Sequence, residues 1–192
     1  MRRKINVNGS TFTVMIGERR IKAKVKELAR QISRDYKGTV PVFIGVLNGS
    51  FIFFADLIRE VTLECEIDFL KLSSYGDAKI SSGNVRLLKD LNCPVQGRDI
   101  IIVEDIVDSG LSMEYIRNLI LRQNPKSFKV VTLLYKKEAV TTDIHLDYVG
   151  FTIPRDFVVG YGLDYAQRER NLKSLYRIVD SHRNGRPHTK IR

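Results

Sequence analysis

Asp99-Ile-Ile-Ile-Val-Glu-Asp-Ile-Val-Asp-Ser-Gly-Leu-Ser112 is the stretch whose reading decides the fold. Ile100, Ile101, Ile102 and Val103 form an unbroken β-branched run behind Gly97. A strand with no polar alternation is covered on both faces, as central strands of parallel sheets are. Glu104, Asp105 and Asp108 follow, where the strand is expected to end, and Ser109 to Ser112 lead into a helical pattern of Met113, Ile116, Leu119 and Ile120. The order is strand, acidic turn, Gly/Ser loop, helix. Open α/β sheets bind ligands outside the carboxyl ends of their strands. Amides from Ser109 to Met113 at a helix start suit a phosphate.

Carboxylates beside a phosphate site make sense only for a particular ligand. Two adjacent acids repel phosphate but accept sugar hydroxyls, or a Mg²⁺ that itself carries phosphate. The combination points to a sugar phosphate. A plainer reading stays open, with Asp105 and Asp108 as turn residues and Ser112 as a helix N-cap.

Working outward, strand candidates alternate with helices. Thr11–Ile16 follows an Asn8-Gly9-Ser10 turn signal, and Ile21, Val25, Leu28, Ala29 and Ile32 recur at helical spacing between Glu18 and Lys37. Val40–Val46 reads as a buried strand running through Leu47-Asn-Gly-Ser50 into the apolar helix Phe51–Ile58. That second strand–loop–helix junction can offer amides to an anion or be a plain connection. The helix is apolar nearly all round, so it is expected to be buried on several sides or to pack on another subunit. Glu66–Leu72 is the next strand, and residues 73–98 begin Ser-Ser-Tyr-Gly, with Val85–Leu88 as a strand candidate within them. A segment of this length is expected to be a functional lid or flexible loop. Ser127–Tyr135, Tyr148–Ile153 and Phe157–Gly160 complete the strand candidates.

The fold class is therefore α/β, a single domain over residues 1–180, with a basic tail at 181–192 expected to be disordered. The net charge of +10 sits at the ends. Residues 1–40 hold 11 Lys/Arg against 3 Asp/Glu and residues 167–192 hold 8 against 2, while residues 41–166 hold 13 against 17. Solvated helix faces and a tail account for most of that surplus, and a nucleic-acid partner is not expected. No apolar stretch follows Met-Arg-Arg-Lys and no run reaches membrane-span length, so neither signal peptide nor membrane is expected. Cys65 and Cys93 lack metal-ligand spacing and are expected to be reduced, which suits a cytoplasmic protein.

Val-Glu-Asp-Ile-Val-Asp-Ser-Gly (103–110) resembles the phosphoribosyl-diphosphate (PRPP) motif of type I phosphoribosyltransferases, most closely the hypoxanthine–guanine branch. Val-Leu-Asn-Gly-Ser-Phe (46–51), Ser-Ser-Tyr-Gly (73–76), Leu-Leu-Tyr-Lys-Lys (133–137), Asp-Tyr-Val-Gly-Phe (147–151) and Phe-Val-Val-Gly-Tyr-Gly-Leu-Asp-Tyr (157–165) follow that branch in order, over roughly residues 12–179. The resemblance implies a central parallel sheet flanked by helices, a small hood from the chain ends and a flexible active-site loop. It implies transfer from Mg²⁺–PRPP to a 6-oxopurine, hypoxanthine or guanine, in a homodimer or homotetramer.

It also implies roles. Glu104 and Asp105 would take ribose hydroxyls and, with Asp164, serve the metal. Asp108 would face purine N7 as general acid or base. Ser109, Gly110, Leu111 and Ser112 would hold the 5′-phosphate. Leu47, Asn48, Gly49 and Arg170 would line the diphosphate site. Lys136 would donate to purine O6, Phe157 would stack on the ring, and Val158 would offer main-chain groups. Ser74 and Tyr75 would lie on the closing loop. From the residues alone, Lys137 is an alternative to Lys136, Phe157 reads equally as a core residue, and Arg170 can be a surface-helix ion-pair partner. Asn48 stands where many members carry Lys or Arg, so a cationic contact is missing there. A different class of function, a phosphoribosyltransferase-like regulator that binds RNA or DNA, would draw on the basic ends.

Overall fold

Two alternating apolar sets on the central strands divide the core into layers. The computed structural model of the chain describes residues 4–74 and 85–181, which places Tyr75, residues 76–84 of the expected active-site loop and nearly all of the tail outside the described residues. The elements in chain order are β1 (Lys4–Val7), β2 (Ser10–Ile16), α1 (Glu18–Asp35), β3 (Val42–Leu47), α2 (Phe51–Glu60), β4 (Glu66–Ser74) and β5 (Val85–Lys89). They continue with β6 (Asp99–Val107), α3 (Leu111–Leu121), β7 (Ser127–Tyr135), β8 (Tyr148–Thr152), β9 (Val158–Val159) and β10 (Leu175–Ser181).

The main sheet is six-stranded, in the order β5-β4-β3-β6-β7-β8. Its pairs are parallel, as expected, apart from β4 with β5, which adds one antiparallel pair at the edge. The exception follows from connectivity: only ten residues separate Ser74 at the end of β4 from Val85 at the start of β5, short of the dozen or more that a crossover to a parallel neighbour needs. Ile101 and Val103 of β6 pack with Phe43, Val131 and Leu133 under α1 and α2. Ile100 and Ile102 pack with Val42, Ile44 and Val130 under Met113, Ile116 and Ile120 of α3. This double cover is what the unbroken Ile-Ile-Ile-Val run required.

In α1 the apolar residues Ile21, Val25, Leu28, Ala29 and Ile32 are the buried ones. The helix ends at Asp35, short of Lys37, and Gly38 then takes a φ of +81°. The helix α2 is buried along one side only, through Phe53, Phe54 and Leu57, while Phe51 is 44% exposed.

A second, antiparallel sheet, β1-β2-β10-β9, joins the two ends of the chain into the expected hood. Its own small core is Val7, Phe12, Val159 and Tyr176. Among the described residues no helix is long and apolar enough to cross a membrane.

Candidate active site

The site begins where two neighbouring strands part. Pairing of β3 with β6 stops at Gly45↔Val103, whereas β7 follows β6 on to Val107↔Tyr135. Glu104 and Asp105 therefore lie inside β6, not at its end, where the sequence placed them. The strand is prolonged because β7 still supplies hydrogen-bonding partners on one side. The cleft of about 280 Å³ that opens at this parting is lined by Leu47, Gly49, Glu104, Asp105, Asp108 and the Ser109–Gly110 turn, among others.

Glu104 and Asp105 are 9% and 7% exposed. Burial pushes the Glu104 carboxyl well above its ordinary value, and the adjacent Asp105 carboxylate adds to the rise. Burial also raises Asp105, opposed by hydrogen bonds from Glu104 and the Ile106 amide and by the Arg170 guanidinium. Such a buried acid pair can accept hydroxyl donors or bind a cation once deprotonated.

The loop that follows is built for close approach. Gly110 is the N-cap of α3 with φ +89°, so the cap is glycine rather than Ser112, which is exposed two residues later in the first turn. A Cβ at Gly110 would lie 2.1 Å from Thr142 Oγ1. The Thr141 amide and hydroxyl both donate to the Ser109 carbonyl, at 3.0 and 3.3 Å. Thr141 and Thr142 thus back the Ser109–Ser112 turn from behind. The amides at the start of α3 face an end of the helix that favours negative charge.

Beside this turn, Lys136 Nζ donates to Asp108 Oδ2 at 2.8 Å. The Lys136 side chain is 9% exposed and that of Asp108 57%. Lys137 is exposed, and the Lys136 amide donates to the Val107 carbonyl, which ties it to the end of β6. Phe157 is 44% exposed, so it is not a core residue, and it packs in a ring cluster with Phe12 and Tyr165. The Ile178 amide donates to the Phe157 carbonyl. Alternation along an antiparallel pair then turns the N–H and C=O of Val158 toward the outer side of β9, which is an edge strand.

The remaining candidates meet on the other side of Asp105. A Cβ on Gly49 would come within 1.8 Å of Asp105 Oδ2, and one on Gly162 within 2.1 Å of the Gly49 carbonyl oxygen. Arg170 donates to the Gly162 carbonyl at 2.8 Å and pairs with Asp164 at 2.7 Å. The segment Gln167–Arg170 forms turns, not a helix, and Ala166, Gln167 and Glu169 take positive φ. That winding returns Arg170 to the site instead of spending it on a surface helix face. The Leu47–Asn48 peptide is cis, and Asn48 is exposed.

Asp164 and the Glu104–Asp105 pair are the carboxylates that could serve a metal. Among the described residues no cluster of three or more His, Cys, Asp or Glu forms a cation cage. The donor set fits a Mg²⁺ delivered on phosphate oxygens, which needs only one or two protein carboxylates and keeps several waters. Ser74 closes β4, and Tyr75 lies outside the described residues. Sequence reasoning missed Thr141, Thr142, Gly162 and Leu72, which also lines the cleft. The Gly160-Tyr-Gly162 doublet was a local signal for Gly162, since paired glycines mark close backbone approach; Thr141, Thr142 and Leu72 had none.

The profile of the phosphoribosyl transferase domain matches residues 15–166. The hypoxanthine-guanine phosphoribosyltransferase of Bacillus subtilis is 50% identical over 159 residues, spanning 83% of this chain and 88% of that protein. The hypoxanthine phosphoribosyltransferase of Salmonella typhimurium is 46% identical over 171 residues, spanning 88% and 96%. A crystal structure of the hypoxanthine-guanine phosphoribosyltransferase of Bacillus anthracis superposes with a TM-score of 0.83 at 45% identity, covering 86% of this chain and 98% of that one. These likenesses are to transferases and lend nothing to the regulator alternative. With the acid pair, the helix-capping turn and the Asp108–Lys136 pair gathered on one cleft, the chain belongs to the hypoxanthine–guanine phosphoribosyltransferase family.

Proposed function

We propose that this chain is a purine salvage enzyme that moves the phosphoribosyl group of PRPP onto a 6-oxopurine, releasing diphosphate. The observation that carries the reading is the Asp108–Lys136 pair. It sets an acceptor and a donor side by side, and a 6-oxopurine presents N7 and O6 on one edge. Lys136 donates to O6, and Asp108 takes the proton from N7 as N9 bonds to the ribose. The same carboxylate stabilises positive charge developing on the sugar. Phe157 stacks on the base, and the outward main-chain groups of Val158 meet its far edge.

Glu104 and Asp105 accept the ribose hydroxyls, and the Ser109–Ser112 turn holds the 5′-phosphate. Leu47 to Gly49 line the diphosphate through backbone, and Arg170 meets its charge. Asn48 adds no cation there. Mg²⁺, when bound with PRPP, neutralises the diphosphate charge; Asp164 and the acid pair are the residues that would hold it. The free thiols Cys65 and Cys93 suit a cytoplasmic setting, which belongs to this proposal. Assembly as a homodimer or homotetramer belongs to it too, and the exposed Phe51 on α2 supports it.

The test is PRPP-dependent diphosphate release with hypoxanthine, guanine, xanthine and adenine, each with and without excess chelator. Release with hypoxanthine and guanine that chelator abolishes is the expected result. Efficient use of adenine, or full activity in chelator, would overturn the reading.

A further inference from the structure

The Gly160-Tyr161-Gly162 turn is wound left-handed throughout, with φ of +97°, +49° and +103°. Glycine takes such angles freely, but a tyrosine rarely does, so something outside the turn must hold Tyr161 there. The ring is buried at 5% exposure, and its hydroxyl donates to Asp56 Oδ2 at 2.6 Å. Asp56 lies on α2, and its other carboxylate oxygen is held by Arg59. The Tyr161 amide is held as well, donating to the Leu172 carbonyl at 2.8 Å. Burial and the Asp56 carboxylate push the phenol far above its ordinary range, so it remains a donor.

The residue this anchoring places is Gly162. Its α-carbon lies against the Gly49 carbonyl, so closely that a Cβ would clash at 2.1 Å. Its amide donates to the Arg170 carbonyl at 2.9 Å, and its own carbonyl accepts from the Arg170 side chain. Arg170 in turn pairs with Asp164. The Leu47–Gly49 turn leads directly into α2, the helix that carries Asp56. The contacts therefore close a ring from Gly49 through α2, Asp56, Tyr161 and Gly162 back to Gly49.

We propose that Tyr161 and Asp56 are a positioning pair that sets the geometry of the diphosphate pocket from outside the cleft. Neither lines the cleft. The pair acts through Gly162, which fixes the spacing between the Gly49 backbone and the Arg170–Asp164 pair. Without the phenol hydroxyl the left-handed Tyr161 relaxes, and Gly49 and Arg170 lose their common support. The inference rests on the reading of Leu47–Gly49, Asp164 and Arg170 as the diphosphate-binding elements.

Calorimetric titration with Mg²⁺–diphosphate and with ribose 5-phosphate, beside steady-state kinetics, separates the possibilities. Tyr161→Phe is expected to weaken Mg²⁺–diphosphate and to raise the KM for PRPP about three- to tenfold, the worth of one hydrogen bond. Ribose 5-phosphate affinity and the KM for purine are expected to stay at wild-type values. Asp56→Ala should reproduce this pattern, the double variant should be no worse than either single one, and Asp56→Asn, which keeps an acceptor, should stay near wild type. A lowered Tm with unchanged affinities overturns the proposal, as does equal weakening of all ligands. Arg170→Ala reports on the underlying reading: if it leaves Mg²⁺–diphosphate binding intact, the pocket assignment fails and the inference with it. If Arg170→Ala weakens binding and neither Tyr161→Phe nor Asp56→Ala does, the inference alone fails.

Discussion

Lys136 and Asp108 meet at 2.8 Å with opposite exposures, the ammonium enclosed and the carboxylate open to the cleft. On the proposed reading, an incoming base would meet the open Asp108 carboxylate with the enclosed Lys136 ammonium beside it. Removing Lys136 takes away a donor that adenine cannot use, because an ammonium has no acceptor for its amino group. Lys136→Ala should lower kcat/KM for hypoxanthine and guanine by roughly ten- to a hundredfold, the worth of a charge-assisted hydrogen bond. The exposed Lys137 should tolerate alanine. Kinetics of both variants with each base check this, and the reverse pattern would shift the assignment by one residue.

Asp108→Asn should lower turnover by roughly 10²–10⁴, the usual loss on removing an acid–base group, while PRPP binding survives. Asparagine keeps an acceptor for Lys136 but cannot take a proton from N7. Near-wild-type turnover at neutral pH would remove Asp108 from the proton transfer.

Glu104 carries a testable pH signature. Its folded pKa lies above the unfolded value, so the folded state keeps a proton that the unfolded state has already released. Stability of the unliganded chain is therefore full below the ordinary carboxylate range and falls as pH rises through the raised value. Glu104→Gln removes that loss. Its Tm should exceed that of wild type by a margin that widens from acid to neutral pH, at about 2–4 °C per kcal/mol. Mg²⁺–PRPP affinity of the same variant should drop. A Tm difference that is flat with pH would contradict the buried-acid account.

Gly49→Ala places a methyl against Asp105 Oδ2 and must move either the turn or the carboxylate. Misplacement of about 1 Å can cost on the order of 10²-fold in rate. The variant should lose about that factor in kcat/KM for PRPP with little change in the KM for purine, measured at saturating co-substrate. An equal loss for both substrates would point to general disorder of the cleft instead.

What was legible in the sequence is what local chemistry dictates. The β-branched run of β6, the nine residues of β7 and the apolar stripe of α1 each carry their own period, because burial on one or two faces imprints it. The order of the PRPP-like motif and the later Lys and Asp motifs placed the site at the carboxyl ends of the strands. Where β6 ends was not legible, since the length of a strand depends on which neighbour keeps bonding to it, and β7 outlasts β3. The hood pairing of β2 with β10 joins residues far apart in the chain, which no local period records. That Lys136 is enclosed and Lys137 exposed needed the fold, because two adjacent strand-end residues differ only in which one the sheet covers. Tyr161 reaching Asp56 and Gly162 lying on Gly49 likewise exist only once α2 and the 160–170 turns are packed together. The residue types set the available chemistry; tertiary contact decided which of them share a cleft, and burial raised the Glu104 and Asp105 carboxyls above their ordinary range.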